Sequence, residues 1–182
     1  MGVFVVLLRA IGPVTHKIMS MAQWRDAVAA SGFVAPETFI ATGNMIVESD
    51  KTLADVTRSM NTVVRALGLG DGNVAVVRSP AQLRQLVQAD PFPEASATRG
   101  DQMGVYFFAG SNPALDWIAQ YDGVERLHVV AEHLIVDYTR QISQSPRLPG
   151  LIEKRSGTVT ARNWNTLKKL AEKASAREIG AQ

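Results

Sequence analysis

Apolar positions along the first half of the chain alternate between the periods of strands and helices. They predict a strand at residues 3–8, a helix at 20–32, a β-hairpin at 38–49, a helix at 53–68 and a strand at 73–78. Ser20 suits the N-cap of the first helix and Gly32 its stop. Thr42-Gly43-Asn44 suits the hairpin turn because Gly and Asn tolerate positive φ. The order is βαββαβ.

The second half repeats this order of elements, although its residues do not repeat. The pattern predicts a helix at 79–90, a linker at 91–101, a strand at 103–109, a helix at 112–121 capped by Asn112, a hairpin at 124–138 turned at Ala131-Glu132, a broken helix at 145–155, a strand at 157–161 and a final helix at 163–176. We therefore predict an α+β fold, a tandem repeat of two ferredoxin-like βαββαβ units plus a C-terminal helix. The first lobe spans residues 1–79. The second lobe, with its linker helix and C-terminal helix, spans residues 80–182.

Composition narrows the class of protein. The 182 residues are 46% hydrophobic and 20% charged, which suits one globular domain or two small ones. No run approaches the roughly 18 consecutive apolar residues of a membrane span, and the opening apolar run lacks the basic residues of a signal peptide. Cysteine is absent, which excludes disulfides and thiolate chemistry. These features predict a cytoplasmic protein without a membrane partner.

The net charge of +2 is unevenly distributed along the chain. Residues 139–182 hold nine Lys or Arg against three Glu, a net charge of +6. Residues 1–138 hold ten basic and fourteen acidic residues, a net charge of −4. This asymmetry predicts that the C-terminal quarter meets an anion, which is a ligand phosphate, a nucleic acid or the acidic part of the protein itself.

Six short segments spread over most of the chain carry a family resemblance. They are Leu7-Leu8-Arg9, Lys17 to Met21, Thr42-Gly43-Asn44, Arg78-Ser79, Asp90-Pro91-Phe92-Pro93 and Arg162-Asn163-Trp164-Asn165-Thr166. Together they resemble a bacterial family called domain of unknown function 1697. The resemblance implies a two-lobed α+β fold and no established activity.

Two loops depart from the pattern of that family. The loop after Arg9, glycine-rich in the family, contains Pro13 here, and proline removes a backbone N–H that a phosphate-binding loop needs. The segment 141–148 lacks the glycines of the family and has Arg147 in place of its lysine. If the family binds an anion there, the resemblance implies weaker binding, or none, in this chain.

Residues 160–173, TARNWNTLKKLAEK, allow two interpretations. In a helix the apolar residues fall on one face, namely Trp164, Leu167, Leu170, Ala171 and Ala174. The first interpretation is a docked helix with Trp164 packed inward, Asn163 as N-cap and a solvated basic face. The second is an anion site at the helix N-terminus, with Arg162 beside it and Lys154-Arg155 one strand earlier.

Arg9 follows the first strand and also has two interpretations. An arginine at a strand end can bind a carboxylate or phosphate through a forked contact, or it can pair with an acidic residue of the protein. His16 and Lys17 follow in the next loop, but the sequence fixes no partner for acid–base chemistry. No HExxH, P-loop, GxGxxG or Ser-His-Asp spacing occurs, which leaves catalysis an open question.

The second predicted hairpin brings two histidines to one face. With a two-residue turn, Val130 faces His133, so His128 and His133 lie diagonally across the strands. Two histidines without a third ligand are a weak metal signal, and we predict neither a metal nor a cofactor. In the same register Arg126 opposes Asp137, which predicts a structural ion pair.

The leading hypothesis is a binding or accessory protein that holds a small anionic ligand between its lobes. The candidate ligand-binding residues are Arg9, Lys17, Arg155, Arg162, Asn163 and Lys169. Nucleic-acid binding through the same basic quarter is an alternative. The acidic residues 1–138 disfavour it, and RNA-binding sheets need exposed aromatics, whereas helices can cover Tyr106 and Phe108. A third alternative is an interaction protein, such as a homodimer.

Overall fold

The computed structural model describes residues 1–181, which divide into two compact units. The first unit contains Met1–Arg84 and the described residues from Leu170 onward, and the second contains Gln85–Lys169. The strands of this range are β1 (Gly2–Leu8), β2 (Val34–Phe39), β3 (Asn44–Ser49), β4 (Ala75–Arg78), β5 (Met103–Phe108), β6 (Arg126–Val130), β7 (His133–Asp137) and β8 (Val159–Asn163). Its α-helices are α1 (Pro13–Ile18), α2 (Met21–Ala30), α3 (Leu53–Ala66), α4 (Pro80–Ala89), α5 (Pro93–Thr98), α6 (Arg147–Ser156) and α7 (Trp164–Gly180). Short 3-10 helices lie at Gly100–Gln102, Asp116–Gln120 and Ile142–Gln144.

The first unit is built on a four-stranded antiparallel sheet in the order β2-β3-β1-β4. β1 lies in the interior of the sheet, where Val5 is opposite Ile46 of β3 and Arg78 of β4. From Val3 to Leu8 every residue of β1 is buried. A strand covered on both faces needs apolar residues at every position, which explains why this run does not alternate with polar residues.

Helices α2 and α3 supply the core of the first unit. Trp24 of α2 and Met60 of α3 are fully buried in one cluster with Val6 of the sheet. Ser20 caps α2 as predicted, since its hydroxyl accepts a hydrogen bond from the Gln23 backbone N–H at 3.1 Å. The helical spacing of apolar residues predicted both helices because that spacing is what buries one side of each.

The second unit contains another four-stranded antiparallel sheet, in the order β6-β7-β5-β8. Tyr106 of β5 lies opposite Leu134 of β7, and both belong to a core that includes Leu148 and Ile152 of α6. The Tyr106 hydroxyl is hydrogen-bonded to that of Tyr138 within this core. The structure is therefore α+β, with two four-stranded antiparallel sheets and a C-terminal helix.

A buried carboxylate joins three segments of the second unit. Asp137 is fully buried and accepts hydrogen bonds from Arg99, from Arg126 (Nε to Oδ2, 2.8 Å) and from the Thr139 backbone N–H (2.9 Å). Burial alone would raise the pKa of Asp137, but the hydrogen bond from Arg99 and those from Thr139 and Arg126 lower it below its ordinary value. The predicted pairing of Arg126 with Asp137 is confirmed.

The prediction of a helix at 112–121 is wrong. Only Asp116–Gln120 is helical, as a 3-10 helix. Asn112 has φ of 53°, whereas an N-cap residue takes an extended backbone, and its backbone N–H donates to Glu132 at 3.1 Å instead. Within this short helix the Trp117 indole N–H donates to Ser156 of α6 at 2.9 Å.

Proline was an ambiguous signal in three other segments. The loop after Arg9 contains α1, and the predicted linker at 91–101 contains α5; both helices begin with a proline. The predicted break in the helix at 145–155 is also wrong, since α6 continues through Pro149. Pro149 is the third residue of α6, where its missing N–H has no partner within the helix anyway.

The helix α7 follows the first interpretation of the basic segment. Trp164, Leu167, Leu170, Ala171 and Ala174 are all buried, which confirms the predicted apolar face. The residues of α7 up to Lys169 belong to the second unit and those from Leu170 to the first. No helix among residues 1–181 combines the length and the apolar composition that a bilayer crossing demands.

Two glycines with positive φ provide a matched test of packing in the first unit. Gly43 (φ 81°) has no room for a Cβ, which would lie 2.8 Å from Ile11 and from Leu8, whereas at Gly32 (φ 89°) a Cβ would meet nothing within 4 Å. We expect Gly32→Ala to lower the free energy of unfolding by about 1 kcal/mol, from backbone strain alone. Gly43→Ala adds the steric clash and is expected to lower it by about 2–4 kcal/mol. Urea unfolding measures both, and equal losses would show that the hairpin turn does not pack against Ile11 and Leu8.

Candidate anion-binding site

Two of the six predicted ligand-binding residues belong to the first unit. The Arg9 side chain donates from Nη1 to the carbonyl of Gly72 at 2.9 Å, and the Asn73 side chain donates to the Arg9 carbonyl at 3.3 Å. These bonds connect the end of β1 to the loop before β4. Lys17 is exposed in the last turn of α1.

Arg162 and Asn163 have internal hydrogen-bond partners in the second unit. Arg162 is buried in β8, where Nη1 donates to the Thr160 hydroxyl at 2.7 Å and to the Ala161 carbonyl at 2.8 Å. Burial lowers the pKa of Arg162 to about 10. Asn163 accepts a hydrogen bond from the Thr166 backbone N–H at 2.8 Å, which confirms its prediction as the N-cap of α7.

Arg155 and Lys169 are exposed on the second unit. The guanidinium carbon of Arg155 lies 6.0 Å from the centroid of the Trp117 ring, at the outer limit of a cation–π contact. The grouping of these two residues with Arg9, Lys17, Arg162 and Asn163 in one site stays a prediction.

The protein's own carboxylates neutralise part of the positive C-terminal quarter. Lys173 and Arg177 both pair with Glu37 in the first unit. In the second unit Arg140 pairs with Glu125 at 3.2 Å. The charge asymmetry predicted three possible anionic partners for the C-terminal quarter. Acidic residues of the protein itself are one of these partners.

A pocket of about 710 Å³ lies on the second unit. It is formed by residues 121–125, by the loop that follows β7, and by the first two turns of α6. Three basic residues line it: Arg140, Arg147 and Lys154. The segment 141–148, at which the sequence departs from the family pattern, covers most of this loop and the first two residues of α6.

Glu125 forms the polar floor of this pocket. Its side chain is buried, and its oxygens accept hydrogen bonds from the Tyr121 hydroxyl at 2.6 Å and from Arg140 at 3.2 Å. Burial would raise the pKa of Glu125, but hydrogen bonds from Ser145, Tyr121 and Arg140 outweigh it and lower the pKa to about 2. Burial and the bond to Glu125 raise the pKa of Tyr121 to about 12. At neutral pH the floor therefore carries an ionised carboxylate whose charge is balanced by Arg140.

Side chains, rather than glycines, close the loop that follows β7. Arg140 donates from Nε to the Ser145 hydroxyl at 3.0 Å, and the Gln141 backbone N–H donates to the Gln144 side chain at 3.2 Å. The Ser145 backbone N–H donates to the Ile142 carbonyl at 3.0 Å. The loop thus has a defined conformation without the glycines of the family pattern.

Arg147 and Lys154 stand at the rim of the pocket on α6. Both are exposed, and neither has an ion-pair partner among residues 1–181. They lie about 10 Å apart along the helix axis, at 1.5 Å per residue, with Leu151 between them on the same face. Two unpaired cations beside a concave surface can bind an anion.

Glu125 and Tyr121 of the pocket are hydrogen-bonded to each other. A carboxylate with a pKa of about 2 is a weak base at neutral pH, and the Tyr121 hydroxyl is engaged with it. Among residues 1–181 no group of three or more His, Cys, Asp or Glu side chains could hold a metal. His133 is buried with its ring 5.4 Å from that of Phe107, so it serves the core.

The strand aromatics that an RNA-binding sheet would expose are covered. Tyr106, Phe107 and Phe108 of β5 are all buried. Base stacking on this strand would require them at the surface.

The sequence patterns did not indicate that Arg147 and Lys154 belong to one site. They place Lys154 near the start of the final helix and Arg147 in a loop that departs from the family pattern. The missing signal is Glu125, whose hydrogen bonds with Arg140 and Ser145 connect the segment before β6 to the loop that follows β7. Helical spacing could have shown that Arg147, Leu151 and Lys154 share a face, had the helix not been predicted to break at Pro149.

Comparison with known proteins identifies the family of this fold. The family model described as "Protein of unknown function (DUF1697)" matches residues 1–134, and the chain belongs to this family. A comparison with curated proteins gave no match. Among solved structures, the chain is similar to the conserved bacterial protein SP0830 from Streptococcus pneumoniae, with 18% identity and a TM-score of 0.74 over 96% of this chain and 99% of that one. At this identity the similarity shows the fold alone.

The network around Glu125 predicts a pH-dependent contribution to stability. Because its pKa is lowered from about 4.5 to about 2, the carboxylate stabilises the fold above pH 4.5 and loses this effect as the pH falls through about 2. We expect Glu125→Gln to lower the free energy of unfolding at neutral pH by about 2 kcal/mol, since charge-assisted hydrogen bonds are lost. The difference from the wild type should shrink as the pH falls toward about 2.

Urea unfolding at a series of pH values measures this difference. The exposed Asp101→Asn is the control and should follow the wild type at every pH. A constant difference between wild type and Glu125→Gln over the whole range would contradict the ionised state of Glu125.

Proposed function

We propose that this chain is a binding protein for a small anionic ligand, which it holds in the pocket of the second unit. The observation that carries the proposal is the pair Arg147 and Lys154, two cations without carboxylate partners on the rim of a pocket of about 710 Å³. Pockets that bind small molecules commonly have volumes between roughly 300 and 1,000 Å³.

The electrostatics of the pocket support an anion rather than a cation. Arg140, Arg147 and Lys154 line it, and Glu125 is the one carboxylate among the lining residues. Since Glu125 is balanced by Arg140, the rim keeps two net positive charges. Exposed cations alone bind anions weakly because water screens them, but a concave wall excludes part of that water and strengthens the attraction.

The order of strands also supports the duplication predicted from the sequence, and we include it in the proposal. In each sheet the order follows the pattern second, third, first, fourth strand of the unit. A hairpin joins the second and third strands in both. The connection between the first two strands differs, since it contains α2 in the first unit and a 3-10 helix in the second. On this interpretation, the second unit is a ferredoxin-like copy that acquired a pocket.

A thermal-shift screen with inorganic phosphate, citrate, benzoate and a nucleoside monophosphate tests the anion site. A ligand at ten times its Kd stabilises the folded state by about 1.4 kcal/mol, which corresponds to a rise in Tm of about 3–6 °C for a chain of this size. We expect at least one of these anions to raise the Tm of the wild type, and Arg147→Ala and Lys154→Ala each to reduce the shift severalfold.

Arg65→Ala is the matched control, since it removes an exposed arginine from the first unit. It should leave the ligand-induced shift unchanged. If no anion shifts the wild type, or if Arg147→Ala and Lys154→Ala respond like Arg65→Ala, the pocket is not an anion site. Salt-sensitive binding of an oligonucleotide that is equally strong in all variants would favour the nucleic-acid alternative instead.

A further inference from the structure

The polar groups on the floor of the pocket are already paired with one another. Glu125 accepts from Tyr121 and Arg140, and the Ser145 hydroxyl accepts from Arg140 and donates to Glu125. A polar ligand atom placed here would have to break one of these bonds and leave a buried charged group without its donor. The floor therefore favours a ligand part that makes no hydrogen bonds.

Apart from Gln144 and the two cations of the rim, the remaining residues that line the pocket are apolar or glycine. Val124, Pro146, Leu148 and Leu151 line it together with Gly123 and Gly150. Val124 is 61% exposed, so its side chain is accessible to a ligand. Such a surface loses ordered water when an apolar group covers it, and this favours binding.

The cations available to a ligand stand at the rim. Arg147 and Lys154 flank Leu151 on one face of α6, so a charged group at the rim and an apolar group in the pocket are neighbours. A ligand that satisfies both regions carries an anionic head and an apolar body. A fully hydrophilic anion would leave the apolar wall uncovered.

We propose that the ligand is an amphipathic anion, with its carboxylate or phosphate head at Arg147 and Lys154 and its hydrocarbon body against Val124 and Leu151. This inference rests on the proposed function, because it uses the same pocket and the same cations. It adds the class of ligand, which the cations alone do not define.

A series of straight-chain carboxylates, from acetate to octanoate, tests the apolar body. Each CH₂ group that leaves water strengthens binding about two- to fourfold, so we expect the affinity to rise about tenfold or more from butanoate to octanoate. Isothermal titration below the micelle concentration measures this rise. Octyl phosphate tests the other head group, and octyl glucoside, which has the same body without a charge, is expected not to bind.

Gly150 allows the pocket to be filled without removing a charge. It lies in α6, and a Cβ there would meet nothing within 4 Å. Gly150→Phe is expected to abolish octanoate binding while α6 stays folded, because phenylalanine forms helices more readily than glycine. Gly180→Phe is the matched control, because Gly180 also lies in a helix with nothing within 4 Å of a Cβ but belongs to the first unit, and it should bind octanoate as the wild type does.

The outcomes separate this inference from the proposed function. If acetate, inorganic phosphate and octanoate bind equally well, or Gly150→Phe still binds octanoate, the amphipathic ligand is overturned while the anion site remains. If no anion binds, both the amphipathic ligand and the anion-binding function are overturned. If octyl glucoside binds as tightly as octanoate, the pocket does not select for charge and the anion site falls. Binding of octyl phosphate but not octanoate supports the inference and assigns the head group.

Discussion

The buried carboxylate of Glu125 is the constraint on which the candidate site depends. An ionised carboxylate away from water is stable only while its donors stay in place, because removing one partner leaves charge uncompensated. Its donors Tyr121, Arg140 and Ser145 come from both sides of the β6–β7 hairpin. Holding them together shapes the floor of the pocket and the loop that leads into α6, and so sets where the rim of the pocket lies.

The same principle recurs elsewhere in the second unit. Asp137 is buried with Arg99, Arg126 and the Thr139 backbone as donors, and these connect the segment after α5 to the β6–β7 hairpin. In the first unit, a neutral side chain makes a similar connection between a helix and a strand. Asn61 of α3 donates to and accepts from the Ala75 backbone at the start of β4. Charged networks therefore position the loops of the second unit. Apolar packing and strand pairing stabilise the sheets of both units.

Arginine shows how burial separates two roles of one residue type. Arg162 donates to neighbours in its own strand and is buried. Arg147 is exposed at the start of α6 and has no carboxylate partner among the described residues, so its charge is available to a ligand. In the net charge of the C-terminal quarter, Arg147 and Arg162 contribute equally. The candidate site follows from the few cations that internal carboxylates and burial leave available.

Local periodicity and strand register are enough to predict the strands, most helices, the inward face of α7 and the ion pair of Arg126 with Asp137. They do not determine α1, α5 or the continuity of α6, where proline is compatible with a helix start as well as a loop. The pocket, in contrast, forms through tertiary contacts between segments that are distant in sequence. Glu125 and Ser145 are twenty residues apart, and no local pattern shows that a buried charge will draw its donors from so distant a segment. Tertiary packing likewise determines which cations are buried, and the spacing of charged residues along the sequence does not predict that packing.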